Sequence, residues 1–111
     1  MIINKYGHPK FITPYGAVDY IPLAEASSIV RRGIEPTIEN FLSGTPFTIQ
    51  AIAYNVEEEK IIGSIGLQAL FEKTFAINNQ DQAEKYAQTV GKPLEEMMIT
   101  KAESMGFRVI L

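Results

Sequence analysis

The sequence predicts an α+β domain, in which a mainly antiparallel sheet is packed by helices. Apolar residues alternate over two stretches within 47–71, whereas within 22–43 and 80–105 they recur at helical spacing. Three of the four helical stretches begin with proline, and each of the four has glycine at or just after its end, as helix termini commonly do. With 111 residues, 46% hydrophobic and 21% charged, the chain matches one ordinary globular domain, which we expect to span residues 1–111.

The first 43 residues predict three short strands followed by two short helices. Turn residues at Gly7–Pro9 and Pro14–Gly16 separate the extended stretches. The predicted strands are Ile2–Tyr6, Lys10–Thr13 and Ala17–Ile21. The helices are predicted over residues 22–33 and 36–43, where a proline opens and a glycine follows each apolar stretch.

The centre of the chain predicts a β-hairpin over residues 47–71. Its strands, 47–56 and 60–71, flank the acidic turn Glu57–Glu59, and a further strand is expected over 73–77. The first strand is apolar on both faces, and a strand of this kind is normally covered on both. We therefore expect helices on one side and a partner subunit on the other, that is, a homo-oligomer.

The C-terminal third predicts two helices, 80–90 and 93–105, and a closing strand at 107–111. Asn79 suits the N-cap of the first helix, and Gly91 suits its end. On the second helix, leucine, alanine and methionine residues form one apolar stripe. We interpret the methionines as core, although methionine also suits an adaptable partner groove.

Charge and composition exclude several classes of function. The absence of cysteine excludes disulfides, thiol catalysis and thiolate metal sites, and we expect no cofactor or metal. The net charge of −3 disfavours nucleic-acid binding, and the second C-terminal helix opens with Glu95-Glu96 where DNA phosphates would require basic residues. No signal peptide or membrane-spanning stretch is visible, so we expect a cytoplasmic protein.

Tyrosine and proline are concentrated in the first 22 residues, which is the main candidate surface. This segment holds three of the five tyrosines, three of the six prolines and the only histidine. A segment punctuated by proline and glycine can display aromatic side chains rigidly. We expect partner or ligand contacts from Tyr6, His8, Tyr15 and Tyr20, although these aromatics could also be core for a sheet.

Two further motifs suggest anion binding. Arg31-Arg32 could clamp a phosphate or carboxylate, although two arginines at the end of a helix also complement its dipole. Gly63-Ser64-Ile65-Gly66 resembles a phosphate loop only superficially, because it lacks the following lysine and hydroxyl residue. We interpret these glycines as a bulge or as a close approach of another backbone segment.

These observations favour a non-enzymatic binding or interaction protein that is homo-oligomeric. Its partner would be another protein or a small anionic ligand. By compositional analogy alone, it resembles small phage or mobile-element products that inhibit a host protein. The alternative is a small enzyme for a phosphorylated or carboxylated substrate, with Arg31 and Arg32 as the anion clamp and His8 or a tyrosine as acid or base.

Overall fold

Three small sheets and five α-helices make up the part of the chain that the structure, a computed structural model, describes. This part comprises residues 9–111 and the backbone of Ile2–Ile3. The predicted α+β class is confirmed. Tyr6 and His8 lie outside the described residues.

The first sheet is an antiparallel three-stranded unit close to the prediction. It consists of β1 (Ile2–Ile3), β2 (Pro9–Thr13) and β3 (Gly16–Asp19), in the order β1-β2-β3. The turn between β2 and β3 is held by the Thr13 hydroxyl, which donates to the Gly16 carbonyl at 2.7 Å and accepts from the Tyr15 amide at 3.2 Å. Gly16, with φ +130°, closes this turn in a conformation that suits glycine.

The two short helices are confirmed, with later starts than predicted. After a 3-10 turn at Leu23–Glu25, the extended residue Ala26 separates that turn from α1 (Ser27–Arg32). Helix α2 spans Ile38–Ser43, and its N-cap is Thr37, whose hydroxyl accepts from the Asn40 amide at 3.1 Å. Thr37 can satisfy this amide with its side chain, which Pro36 cannot.

The predicted central hairpin is confirmed only near its turn. Strands β4 (Ala53–Asn55) and β5 (Lys60–Ile62) are antiparallel, and the Asn55 side chain accepts from the Glu57 and Glu58 amides within the turn. The strand prediction is wrong for residues 48–52, where a 3-10 turn spans Thr48–Gln50, and Phe47 forms only an isolated antiparallel bridge with Ile77. It is also wrong beyond Ile62, because Ser64–Glu72 form helix α3.

Two glycines explain why a helix replaces the second half of the predicted strand. Gly63 has φ +106°, which ends β5, and a Cβ atom there would lie 2.3 Å from the Ala51 carbonyl oxygen. At Gly66 a Cβ atom would lie 2.6 Å from the Ala51 carbonyl carbon. The first turn of α3 therefore packs directly on the backbone at Ala51. This contact confirms the interpretation of the glycines as a close backbone approach.

The C-terminal helices match the prediction closely. Strand β6 (Thr74–Phe75) leads into α4 (Gln80–Val90), then α5 (Leu94–Met105) and β7 (Arg108–Val109). The Asn79 side chain caps α4 by accepting from the Gln82 amide at 3.1 Å, and Gly91 follows α4 in the left-handed conformation. Strands β6 and β7 pair in parallel, so this pair departs from the antiparallel arrangement expected for the sheet.

The hydrophobic core lies between α4, α5 and the segment that carries Phe47 and Phe75. The rings of Phe47 and Phe75 are 4.7 Å apart, and Tyr86 approaches Phe47 edge-on at 6.0 Å. Met97 and Met98 are 3% and 1% exposed, which confirms the interpretation of the methionine stripe as core at these two positions. Phe47 thus belongs to the core and not to a strand covered by a partner.

Candidate functional site

Tyr15 and Tyr20 are both exposed in the sheet formed by β1, β2 and β3, hereafter the N-terminal sheet. Tyr15 lies in the turn between β2 and β3 and is 100% exposed. Tyr20 is 58% exposed, and its amide donates to the Pro9 carbonyl at 2.9 Å, which extends the pairing of β2 with β3. Within the described residues, the N-terminal segment does display aromatic side chains.

Apolar side chains are exposed on both faces of the N-terminal sheet. Phe11 lies opposite Val18 and shares a face with Tyr20, whereas Ile12 lies opposite Ala17 on the other face. Phe11, Ile12 and Val18 remain 44%, 65% and 53% exposed. No residue of β2 or β3 is buried. Strands β2 and β3 therefore contribute little to the core and present an apolar surface.

Strand β3 forms an open edge of this sheet. It pairs with β2 on one side and has no described strand on the other. Since Tyr20 directs its amide to Pro9, the alternation of antiparallel pairing directs the backbone groups of Val18 toward β2 as well. The backbone groups of Ala17 and Asp19 therefore face the open edge.

Arg31 and Arg32, which the sequence pairs as an anion clamp, contact different neighbours. The Arg31 guanidinium donates to the side-chain oxygen of Gln82 on α4. The Arg32 guanidinium donates instead to the carbonyls of Ser28 and Asn40 and to the Ser43 hydroxyl, and so ties α1 to α2. Arg32 therefore stabilises the packing of α1 on α2, and of the two arginines only Arg31 lines the neighbouring cleft.

That cleft, hereafter the α1–α4 cleft, has a volume of about 560 Å³. Arg31 lies on its α1 side, and Lys85 and Thr89 lie one turn apart on its α4 side. Phe41 and Tyr86 supply aromatic surface to the same cleft. The cleft thus combines two cationic side chains with hydroxyl and apolar groups.

Lys85, Gln82 and Thr89 were not predicted as site residues. In the sequence they belong to the polar side of an amphipathic helix, and no motif marks them. The Arg31–Gln82 hydrogen bond, between residues 51 positions apart, shows which side of α4 faces α1. The exposure of Leu70 and Phe71 was also not predicted, because the sequence pattern assigned both residues to a strand and not to the outer side of α3.

The Gly63–Gly66 segment offers no free phosphate cradle of the P-loop kind. Although it does open a helix, the Gly66 amide donates to the Ala51 carbonyl at 3.1 Å. The adjacent cavity is lined by Glu39, whose charge disfavours an anion. The contact with the Ala51 backbone gives these glycines a packing role.

Within residues 9–111, no group of three or more His, Asp or Glu side chains is arranged to hold a metal ion. None of the described helices is long and apolar enough to cross a membrane.

Comparison of the chain with protein-family models, curated protein sequences and solved structures finds no significant match.

Proposed function

We propose that this chain is a non-enzymatic, cytoplasmic binding protein that contacts another protein chain through the N-terminal sheet. The single observation that carries this proposal is the exposure of apolar side chains on both faces of that sheet. The first occupant we propose is a second copy of the chain, which makes the protein a homo-oligomer.

Edge geometry supports a second copy as the occupant. An exposed strand edge is a template for pairing with another chain, and natural proteins usually block it with charge, proline or a covering element. Strand β3 carries one charged residue, Asp19, and that residue lies opposite Lys10. Ala17 and Asp19 direct their backbone groups outward, so a twofold axis at β3 would join two sheets into one continuous antiparallel sheet.

The apolar faces support the same arrangement. Joining two copies at β3 would bring together the Phe11, Val18 and Tyr20 side chains of each copy on a common face. This doubles the apolar surface, which then suits either packing between copies or contact with a further protein. A phage or mobile-element product that inhibits a host protein would use this surface in the same way.

The test compares two exposed valines, one inside and one outside the sheet. Val18 is 53% exposed in β3, and Val30 is 61% exposed on α1. Sedimentation velocity over a range of concentrations should show oligomers for the wild type and for Val30→Lys. Val18→Lys should give monomers, because a lysine near a strand edge opposes pairing. A wild type that stays monomeric at every concentration refutes the second copy as occupant.

Contact with a different protein is tested at Tyr15. A photo-crosslinking amino acid placed at this fully exposed turn position leaves the described packing intact. Exposure to the cytoplasmic extract of the host should then give an adduct of defined mass with another protein. The same amino acid at Val30 is the matched control, and equal adducts at both positions would refute a contact specific to the sheet.

A further inference from the structure

We propose that the α1–α4 cleft binds a small molecule in which a phosphate or carboxylate group is joined to an aromatic or apolar body. This inference concerns a surface separate from the N-terminal sheet and does not rest on the function proposed above. It replaces the expected Arg31–Arg32 clamp with a clamp formed by Arg31 and Lys85.

Arg31 and Lys85 can reach the same anion. The Arg31 guanidinium is bonded to the Gln82 side chain, and Gln82 is three residues before Lys85 on α4. Side chains at this spacing start about 5–6 Å apart on the helix surface. Both cationic groups line the same cleft, so one oxyanion between them would contact a guanidinium fork and an ammonium group.

The Arg31 side chain is held in place before any ligand arrives. Gln82, which accepts its hydrogen bond, is only 7% exposed, and the helix that carries it is capped at Asn79. A side chain that is already positioned loses less conformational entropy on binding. Hydrogen bonding to one guanidinium nitrogen leaves the other donors of Arg31 available to an anion.

Lys85 supplies a cationic group that forms no polar contact with the other described residues. Its side chain is exposed, and neither a hydrogen bond nor an ion pair to its ammonium group occurs among residues 9–111. Asp81 and Glu84 are on the same helix and moderate the local potential, but neither lines the cleft. The charged side chains that do line it are both cationic.

The remaining walls of the cleft favour an apolar body on the ligand. Phe41, Pro46, Tyr86 and Val90 provide apolar surface, while the Ser27 hydroxyl can donate to an anion. The volume of about 560 Å³ lies within the range of small-molecule sites, roughly 300–1,000 Å³. An inorganic anion alone would leave most of this space unfilled.

The experiment is a titration of the full chain with phenyl phosphate, followed by amide chemical shifts in two-dimensional NMR. Benzoate replaces the phosphate by a carboxylate, benzyl alcohol lacks the charge, and inorganic phosphate lacks the ring. We expect saturable shifts at Arg31, Gln82 and Thr89 with the two aromatic anions. The uncharged alcohol and inorganic phosphate should bind at least about fivefold more weakly, since each lacks one of the two contacts.

Lys85→Gln is the decisive variant, because Lys85 has no described side-chain partner and its replacement leaves the fold intact. It should weaken phenyl phosphate binding about three- to tenfold, as expected for loss of one charge-assisted contact. Lys60→Gln, which removes an exposed lysine from β5 outside the cleft, should leave the affinity unchanged. Equal affinities for Lys85→Gln and the wild type, equal binding of benzyl alcohol, or an absence of shifts in the wild type would each overturn the proposal.

Discussion

Replacing Gly66 by alanine should destabilise the protein measurably, because the new methyl group enters the contact between α3 and the backbone at Ala51. A Cβ atom at this position would lie 2.6 Å from the Ala51 carbonyl carbon and 2.6 Å from Ile52 Cβ. Carbon atoms in contact are normally about 3.5–4.0 Å apart. Helix α3 and the Ala51 segment must therefore separate by about 1 Å.

The magnitude follows from three opposing effects. Forcing an extra methyl group into a packed contact costs about 1–3 kcal/mol. Separation also weakens the hydrogen bond from the Gly66 amide to the Ala51 carbonyl, now 3.1 Å long, which contributes about 1 kcal/mol. Alanine favours the helix by about 1 kcal/mol over glycine, which offsets the hydrogen-bond loss. The net decrease in the free energy of unfolding is about 2 kcal/mol.

Urea denaturation followed by far-UV circular dichroism measures this decrease. Gln68→Ala is the matched control, because Gln68 is exposed on the same helix and bonds only to the Glu72 side chain. We expect the control to stay within about 0.5 kcal/mol of the wild type. If residues 60–71 formed the strand that the sequence suggests, Gly66→Ala would instead stabilise the protein, since glycine weakens a strand interior. A variant as stable as the wild type would thus refute the close approach of α3.

Substitutions at three further positions test the packing of α1, α4 and α5. Arg32→Ala should lower the free energy of unfolding by about 2 kcal/mol in urea denaturation, because three hydrogen bonds to the backbone and to Ser43 are lost. The same variant should retain the shifts caused by phenyl phosphate, and loss of those shifts in the folded protein would contradict the separate roles of the two arginines. Met98→Ala should cost about 2–5 kcal/mol in thermal unfolding, since Met98 is 1% exposed, and a loss below about 1 kcal/mol would contradict its core position. Asn79→Ala should cost about 1 kcal/mol through loss of the α4 cap, whereas Asn79→Asp should retain most of the stability; equal losses in both would show that the cap is not the cause.

The helices at the C-terminal end could be predicted because their local signals agree with their packing. Asn79, Gly91 and the apolar stripes all indicate the same boundaries, and α4 spans Gln80–Val90 as predicted. In α3 the local signals conflict. Ile65, Leu67, Ala69 and Phe71 alternate as in a strand, whereas the small residues that pack on Ala51 identify the helix only once its neighbour is known.

The candidate surfaces show the same division between local and long-range information. The exposure of Tyr15 follows from a turn that can be predicted from the residues around it. The α1–α4 cleft cannot be predicted from the local sequence, because it depends on the contact of Arg31 with Gln82, which lies 51 residues further along the chain on the helix that also carries Lys85. The adjacent pair Arg31-Arg32 suggested a shared role, but side chains of consecutive helical residues diverge by about 100°. Tertiary packing then gives each arginine its own partners.

The parallel pairing of β6 with β7 has a consequence for the order of folding. These strands join residues on either side of 76–107, a stretch that contains both α4 and α5. Closing so long a loop costs entropy that the short strand pair does not recover by itself. We expect the two helices to pack first and so shorten the distance that β7 must span, with strand pairing late on the pathway. Changes at Thr74 or Val109 should then accelerate unfolding while leaving the folding rate nearly constant.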